Sequence, residues 1–343
     1  MLRGHWMGLI SVSGAVLLAG AVAASPMPLA PVPASGGNPA DPETGFGAVG
    51  NDYWIGVTEV TNTRYTEFLN AVATTDSHAL YAVGMGSDAI NGGIVRSGGS
   101  SNYSYAVKPG FGNKPVTYVS FWSSLRFANW MNNGMGSAST ENGAYTLTAA
   151  SIAANTVSRN PGAVVFLPNE DEWYKAAYYD PLSGDYFDFP AGTNTAVDCA
   201  SPGSAPNTAN CFWWTTPPRA VDVAGYTGSA SPFGTYDQGG NVREWIETVA
   251  SSSPGALDER RLRGGDFDFN AIELSTSHWT QSNPSSATSR TGFRVASVVP
   301  EPSTALLLGL GLVTGALFRR SRRSERRTGP GSLRALAAPP RQG

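Results

Sequence analysis

YDQGGNVREW (236–245), RLRGGDFDFN (261–270) and TGFRVAS (291–297) follow one another in the last third of the chain. The first two each carry a glycine pair, 239–240 and 264–265, followed by Asn241 and Asp266. Adjacent glycines let a backbone turn tightly or approach another segment closely. Gly292-Phe293-Arg294 completes a set too specific to be generic packing. The whole stretch from 236 to 297 lacks cysteine.

Working outward, the preceding residues read as short elements between long loops. Tyr53 to Val60 mixes aromatic and β-branched residues and predicts a strand. The segment after Thr61-Asn62 places Tyr65, Phe68, Leu69 and Val72 at helical spacing. Residues 74–113, rich in Gly, Ser and Tyr, read as a long ordered insertion. Lys114 to Ser120 predicts a short strand, and FWSSLRFANWMN (121–132) a helix stopped near Gly134. Val164 to Pro168 reads as a buried strand. A helix begins at Asn169, where Glu172 closes a capping box. Residues 180–235 read as loops, in keeping with the 40 glycines and 24 prolines of the chain. Among them lie the only two cysteines, Cys199 and Cys211. With no His nearby for zinc, they predict a disulfide formed in an oxidising compartment.

Both ends read as processing signals. Residues 1–24 have an early Arg3, an apolar run from Leu9 to Val22 and small residues at Ala21, Ala23 and Ala24, the layout of a cleaved signal peptide. Residues 25–48 read as a flexible Pro- and Gly-rich linker. Near the other end, Pro300-Glu301-Pro302 precedes the apolar run 304–318 and the cluster RRSRRSERR (319–327). This arrangement resembles the PEP-CTERM sorting signal (299–327) of Gram-negative bacteria. It implies an exosortase-type partner, transient anchoring in the inner membrane through the C-terminal helix, and a destination at the cell surface or in the extracellular matrix. A permanent single-pass anchor is the alternative. Residues 328–343 read as a disordered tail. The formal charge of −3 conceals an asymmetry. Nine of 23 basic residues and two of 26 acidic ones lie outside residues 25–298, leaving that region near −10. Such a charge disfavours nucleic acid and suits solvation or a hard cation.

Six blocks in order, 60–72, 113–132, 166–179, 236–245, 261–268 and 291–297, closely resemble the formylglycine-generating-enzyme, or sulfatase-modifying-factor, domain. The resemblance spans residues 49–298 and implies an α+β fold, a variant of the C-type-lectin fold rich in irregular structure. It also implies a calcium ion held by the Asp237 and Glu244 carboxylates and the Gly240 and Val242 carbonyls. Mixed carboxylate and carbonyl oxygens suit calcium. The reading that needs no metal takes Asn241 to Glu244 as a capping box at a helix start. A second site would use Asn210 and the Cys211 carbonyl.

Active members of the family oxidise a substrate cysteine with two copper-bound cysteines five residues apart. By resemblance those positions fall on Phe269 and Leu274, which bind no copper, and Asp266 stands where Ser is usual. The expectation is therefore no copper and no formylglycine chemistry. Iron-dependent relatives use histidines, and residues 25–298 hold only His78 and His278. Trp122, Trp213, Trp214 and Trp279 lie near Gly- and Asn-rich loops, a composition suited to sugars or extended peptides. The expected role is a ligand-binding module for polysaccharide or protein. The alternative is an envelope enzyme of the same superfamily that uses acidic residues such as Asp266 and Asp268.

Overall fold

The computed structural model describes residues 27–34, 37–212, 214, 219–250 and 259–298. The expected signal peptide, the sorting signal with Pro300, Glu301 and Pro302, the tail and Trp213 lie outside the described residues. Among the described residues, no helix is long and apolar enough to cross a membrane.

The elements run β1 (Leu29–Val32), β2 (Tyr53–Gly56), α1 (Asn62–Val72), α2 (Val83–Ser87), β3 (Ile94–Ser97), β4 (Ser104–Val107), α3 (Phe121–Asn132), α4 (Ala149–Ala153), β5 (Val165–Phe166), α5 (Glu170–Tyr178), β6 (Asp198–Cys199), β7 (Thr208–Ala209), β8 (Arg243–Val249), β9 (Arg260–Arg263), β10 (Thr280–Ser282), β11 (Thr291–Gly292) and β12 (Ala296–Ser297). Two four-stranded sheets organise this α+β fold, ordered β1-β2-β12-β5 and β10-β9-β8-β11. In the first, β12, the last strand among the described residues, pairs antiparallel with both β2 and β5. In the second, β11 runs parallel to β8.

The helices follow their local signals. Thr61 caps α1 by accepting from the Arg64 N–H, and Tyr65, Phe68 and Leu69 are buried. Ser120 caps α3 in the same way. Asn169 and Glu172 form the reciprocal capping box of α5, which satisfies two amide donors left over at the helix start. Between the first sheet and helices α1 and α3, Tyr65, Phe68, Phe127 and Phe293 form edge-on aromatic contacts with centroids 5.2–6.4 Å apart. Such pairs add roughly 0.5–1.5 kcal/mol beyond their area burial.

Three sequence expectations change. Residues 29–32, assigned to the flexible linker, are an edge strand paired with β2. Ala30 and Val32 are buried there, and an edge position tolerates Pro31. The buried Lys175 ammonium donates to the Pro33 carbonyl at 2.8 Å. The Tyr174 hydroxyl and the Asp41 carboxylate also form a hydrogen bond. Residues 114–120 form no strand. Pro115 makes only an isolated bridge to Thr61, and Tyr118 adopts φ +60°, which breaks an extended run. Finally, no helix starts at Asn241. The Asn241 N–H is taken by the Asn210 carbonyl, the Glu244 side chain turns to Arg294 instead of back to residue 241, and the chain continues as β8.

Candidate functional site

The two glycine pairs build the site because each lies where a side chain cannot. Gly240 has φ +87°, and a Cβ on it would strike the Asn210 carbonyl. Gly265 has φ +65°, and a Cβ would lie 2.9 Å from Leu274 Cδ1. The loop after β9 therefore folds back onto the Ala271–Leu274 3-10 turn, while the loop before β8 packs against residue 210.

After Gly265, the Asp266 carboxylate is fully buried. It accepts from Arg243 Nε at 2.7 Å and pairs with Arg243 Nη2 at 2.6 Å. Burial raises its pKa against the pull of Arg243. Asp268 pairs with Arg290 at 2.9 Å. Both carboxylates proposed as catalytic alternatives are thus bound to arginines.

Phe269 is half-buried. The Arg243 guanidinium carbon lies 4.7 Å from its ring centroid, and the His278 ring meets it edge-on at 5.9 Å. Leu274 is 0 % exposed, packed with Phe189, Val197, Ala209 and Cys211. These side chains share no reactive surface: one is clamped and the other is sealed in a satellite core. Cys199 and Cys211 are disulfide-bonded, with Cα atoms 5.0 Å apart. Directly after Cys211, Phe212 donates its N–H to the Phe269 carbonyl at 2.7 Å. Phe212 has φ +50° and is 67 % exposed, and Ile272 is 71 % exposed. Trp214 is half-exposed, with its Nε1 donating to Ser201 at 2.8 Å. Trp279 stacks on Arg261. His278 sits beside Phe269, whereas His78 sits 3.6 Å from Glu141. The histidines therefore have different neighbours.

The residues implied for calcium lie one layer deeper. Glu244 accepts from Arg294 Nε and Nη2, each at 2.7 Å, and from Trp173 Nε1 at 2.8 Å. Asp237, at φ +60°, accepts from the Ala224 N–H at 2.6 Å. It also lines a cavity of about 20 Å³ with Tyr226, Thr235 and Gln238. Burial raises its carboxyl to about 6. The sequence reading missed Glu59. One of its oxygens accepts from Asn241 Nδ2 at 3.0 Å, and Oε2 is buried with no partner among the described residues. Burial, then the Asp237 charge, push the Glu59 carboxyl well above the usual range. A carboxylate between Val57 and Val60 in the helix approach is the signal that could have flagged it.

Glu59, Asp237 and Glu244 place three acidic groups around one guanidinium, and this donor chemistry fits a hard divalent cation. Asn210 Oδ1, on a residue named for the second site, is also buried with no partner among the described residues. Among the described residues no group of three or more His, Cys, Asp or Glu side chains is placed to hold a metal by itself. A cation here would therefore take backbone carbonyls as well. Asn241 joins the layers. Its Oδ1 accepts from Asn210 Nδ2 at 3.2 Å and from the Val221 N–H at 3.0 Å, while its own amide reaches Glu59.

Comparison with known proteins agrees with this architecture. A family model described as a sulfatase-modifying factor enzyme 1-like domain matches residues 34–299. A PEP-CTERM protein-sorting motif matches residues 298–323. The fold is similar to the crystal structure of CarF, with a TM-score of 0.54 and 22% identity over 80% of this chain and 99% of that one. Treponema denticola variable protein 1 matches at a TM-score of 0.48 and 19% identity, over 79% of this chain and 95% of its own. A search of curated protein sequences finds no match.

Proposed function

Because the chain belongs to the sulfatase-modifying factor enzyme 1-like family, we propose that it is a member that works by binding a ligand and not by oxidation. The PEP-CTERM motif marks it for export, for recognition by an exosortase-type sorting system, and for processing at the cell envelope. The finer destination we assign is the Gram-negative cell surface or extracellular matrix, after transient anchoring in the inner membrane.

One observation carries the reading. The positions that the oxidase would need are a clamped Phe269 and a sealed Leu274, yet Phe212 and Ile272 beside them stay exposed. Single exposed apolar residues need no explanation. An aromatic held at positive φ and presented to solvent does, because such strain is concentrated where it serves a function. The ligand is polysaccharide or protein. The alternative, envelope enzyme chemistry at Asp266 and Asp268, is less well supported because each carboxylate is paired with an arginine.

Calcium completes the proposal. The Asp237 and Glu244 carboxylates and the Gly240 and Val242 carbonyls would hold it, with Glu59 as a further acidic neighbour. Its charge would offset the carboxylates that Arg294 leaves uncompensated, and so lock the loop before β8. Arrays of glycans and peptides probed with the exported protein, with and without calcium, test the binding role. Saturable hits weakened by Phe212→Ala support it, and silence on both arrays counts against it. Melting with and without a chelator tests the metal. An unchanged Tm after exhaustive chelation removes calcium from the account.

A further inference from the structure

A concavity apart from the candidate site is lined in part by Ser285 and Ala287. It is a groove of about 340 Å³ between the 76–82 turn and the start of α3, lined by His78, Tyr81, Tyr118, Trp122, Arg126 and Ser285 among others. Its size falls in the range of small-ligand sites, roughly 300–1,000 Å³. From its walls we propose that it binds a neutral, hydroxyl-rich ligand, a hexopyranose unit of a glycan. This rests on the reading of the domain as a binding module and names the ligand class.

Strain is the first observation. Asp76, Ala79 and Tyr118 have φ +50°, +51° and +60°. A bulky residue rarely adopts that conformation, and it persists only where the surroundings over-determine it. Here they do. Asp76 accepts from the Leu80 N–H at 2.7 Å and from Arg96 at 3.2 Å. The Tyr118 N–H donates to the Thr288 carbonyl at 2.8 Å, and its hydroxyl donates to Asp88 at 2.6 Å. Gly84 cannot take a Cβ without striking the Tyr118 ring. Both walls are therefore fixed before any ligand arrives, which lowers the ordering cost of binding.

Charge is the second observation. Arg126 makes two bonds to Glu141, at 2.6 and 2.8 Å, and Asp76 pairs with Arg96. Asp88 accepts from Tyr118 and from two backbone amides. No wall residue offers an uncompensated charge to an ionic ligand. Hydrogen-bonding capacity remains instead. Arg126 Nη1 makes no bond among the described residues, the Ser120 hydroxyl, which caps α3 by accepting from the Ser123 N–H, shares one further bond of 2.9 Å with the Ser123 hydroxyl, and His78 and Ser285 are exposed. Polar atoms of both senses, in a groove that Tyr118 and Trp122 also line, match a sugar ring with its equatorial hydroxyls and apolar C–H faces.

The test titrates the full exported chain with glucose, galactose, mannose and their N-acetylated and oligomeric forms, followed by saturation-transfer NMR and calorimetry. Two substitutions at exposed positions leave the buried network intact: His78→Ala removes a donor, and Ser285→Trp fills the groove. The expected result is saturable binding of at least one neutral sugar, weakened tenfold or more by Ser285→Trp and several-fold by His78→Ala. Leu182→Ala, at an exposed residue outside the groove, should leave it unchanged. Sugar binding that ignores Ser285→Trp but falls with Phe212→Ala overturns this groove and leaves the binding role standing. Ser285→Trp blocking only uronic acids or peptides overturns the neutral class. The absence of binding to any neutral sugar overturns the inference outright, whatever the protein-ligand arrays show.

Discussion

Among the described residues, Arg294 carries the only guanidinium bonded to Glu244, and the structure sets the scale of what replacing it with Met would do. Arg294 and Glu244 are both fully buried and joined by two bonds of 2.7 Å. Arg294 also donates to the Gly56 carbonyl at 2.9 Å and the Tyr236 carbonyl at 2.8 Å. Removing one partner of a buried pair costs about 3–5 kcal/mol, because the remaining charge is left uncompensated. Glu59 and Asp237 already press on this cluster, so the upper part of that range applies without calcium. For a domain of this size each kcal/mol moves Tm by about 2–4 °C, which gives a fall on the order of 10–15 °C. Circular dichroism melts and urea titrations of the purified protein, in chelator at pH 7, measure it. Pairing Arg294→Met with Glu244→Gln removes the stranded charge and should recover a good part of the loss, a coupling that a double-mutant cycle quantifies. A loss below about 1 kcal/mol for Arg294→Met, or no coupling to Glu244→Gln, would refute the view that this cluster is a charge-limited core.

Opening the Cys199–Cys211 disulfide should cost about 3 kcal/mol for a loop of this length, read as a lower urea midpoint under reductant. Alkylation without reductant should find no free thiol. Asp237 gives a pH test. Its carboxyl is raised to about 6 from an ordinary 3.8, so the folded state holds that proton more tightly than the unfolded chain. This group's contribution is full below about pH 4 and lost as pH rises through 6, roughly 3 kcal/mol at most. In chelator, Asp237→Asn should flatten the decline in stability between pH 5 and 7, and an unchanged slope rejects the assignment. Gly240→Ala places a Cβ against the Asn210 carbonyl at φ +87° and should destabilise by roughly 2 kcal/mol or more. A Tm within 2 °C of the unsubstituted protein contradicts the packing described.

Much of the fold was legible because its signals are local. Thr61, Ser120 and Asn169 announce their helices through their own side chains, and the glycine pairs mark close approaches of the folded backbone. Features that depend on distant partners were not legible. The N-terminal segment looks like a linker by composition, yet Val32 is buried because β2 lies beside it. Lys175 donates to the carbonyl of Pro33, 142 positions away in the sequence. Asn241 to Glu244 has the pattern of a capping box, but Arg294 and Asn210 compete for the same groups and win. At the site, the loss of reactive cysteines was plain from residue identity. The role of Glu59 was not, since an acidic residue declares its burial only once the structure surrounds it.

The position of β12 carries a consequence for the life of the chain during export. Ala296 and Ser297 form the inner strand between β2 and β5, so the first sheet closes only when nearly the last residues of the domain have arrived. The sheet therefore cannot close before residues 296–297 are in place, because they form the strand that joins β2 to β5. The sorting motif begins at residue 298, immediately behind that strand. Completion of the sheet and presentation of the sorting motif thus become nearly one event in time. A domain that fails to close would reach the sorting machinery with β2 and β5 still unpaired along their facing edges.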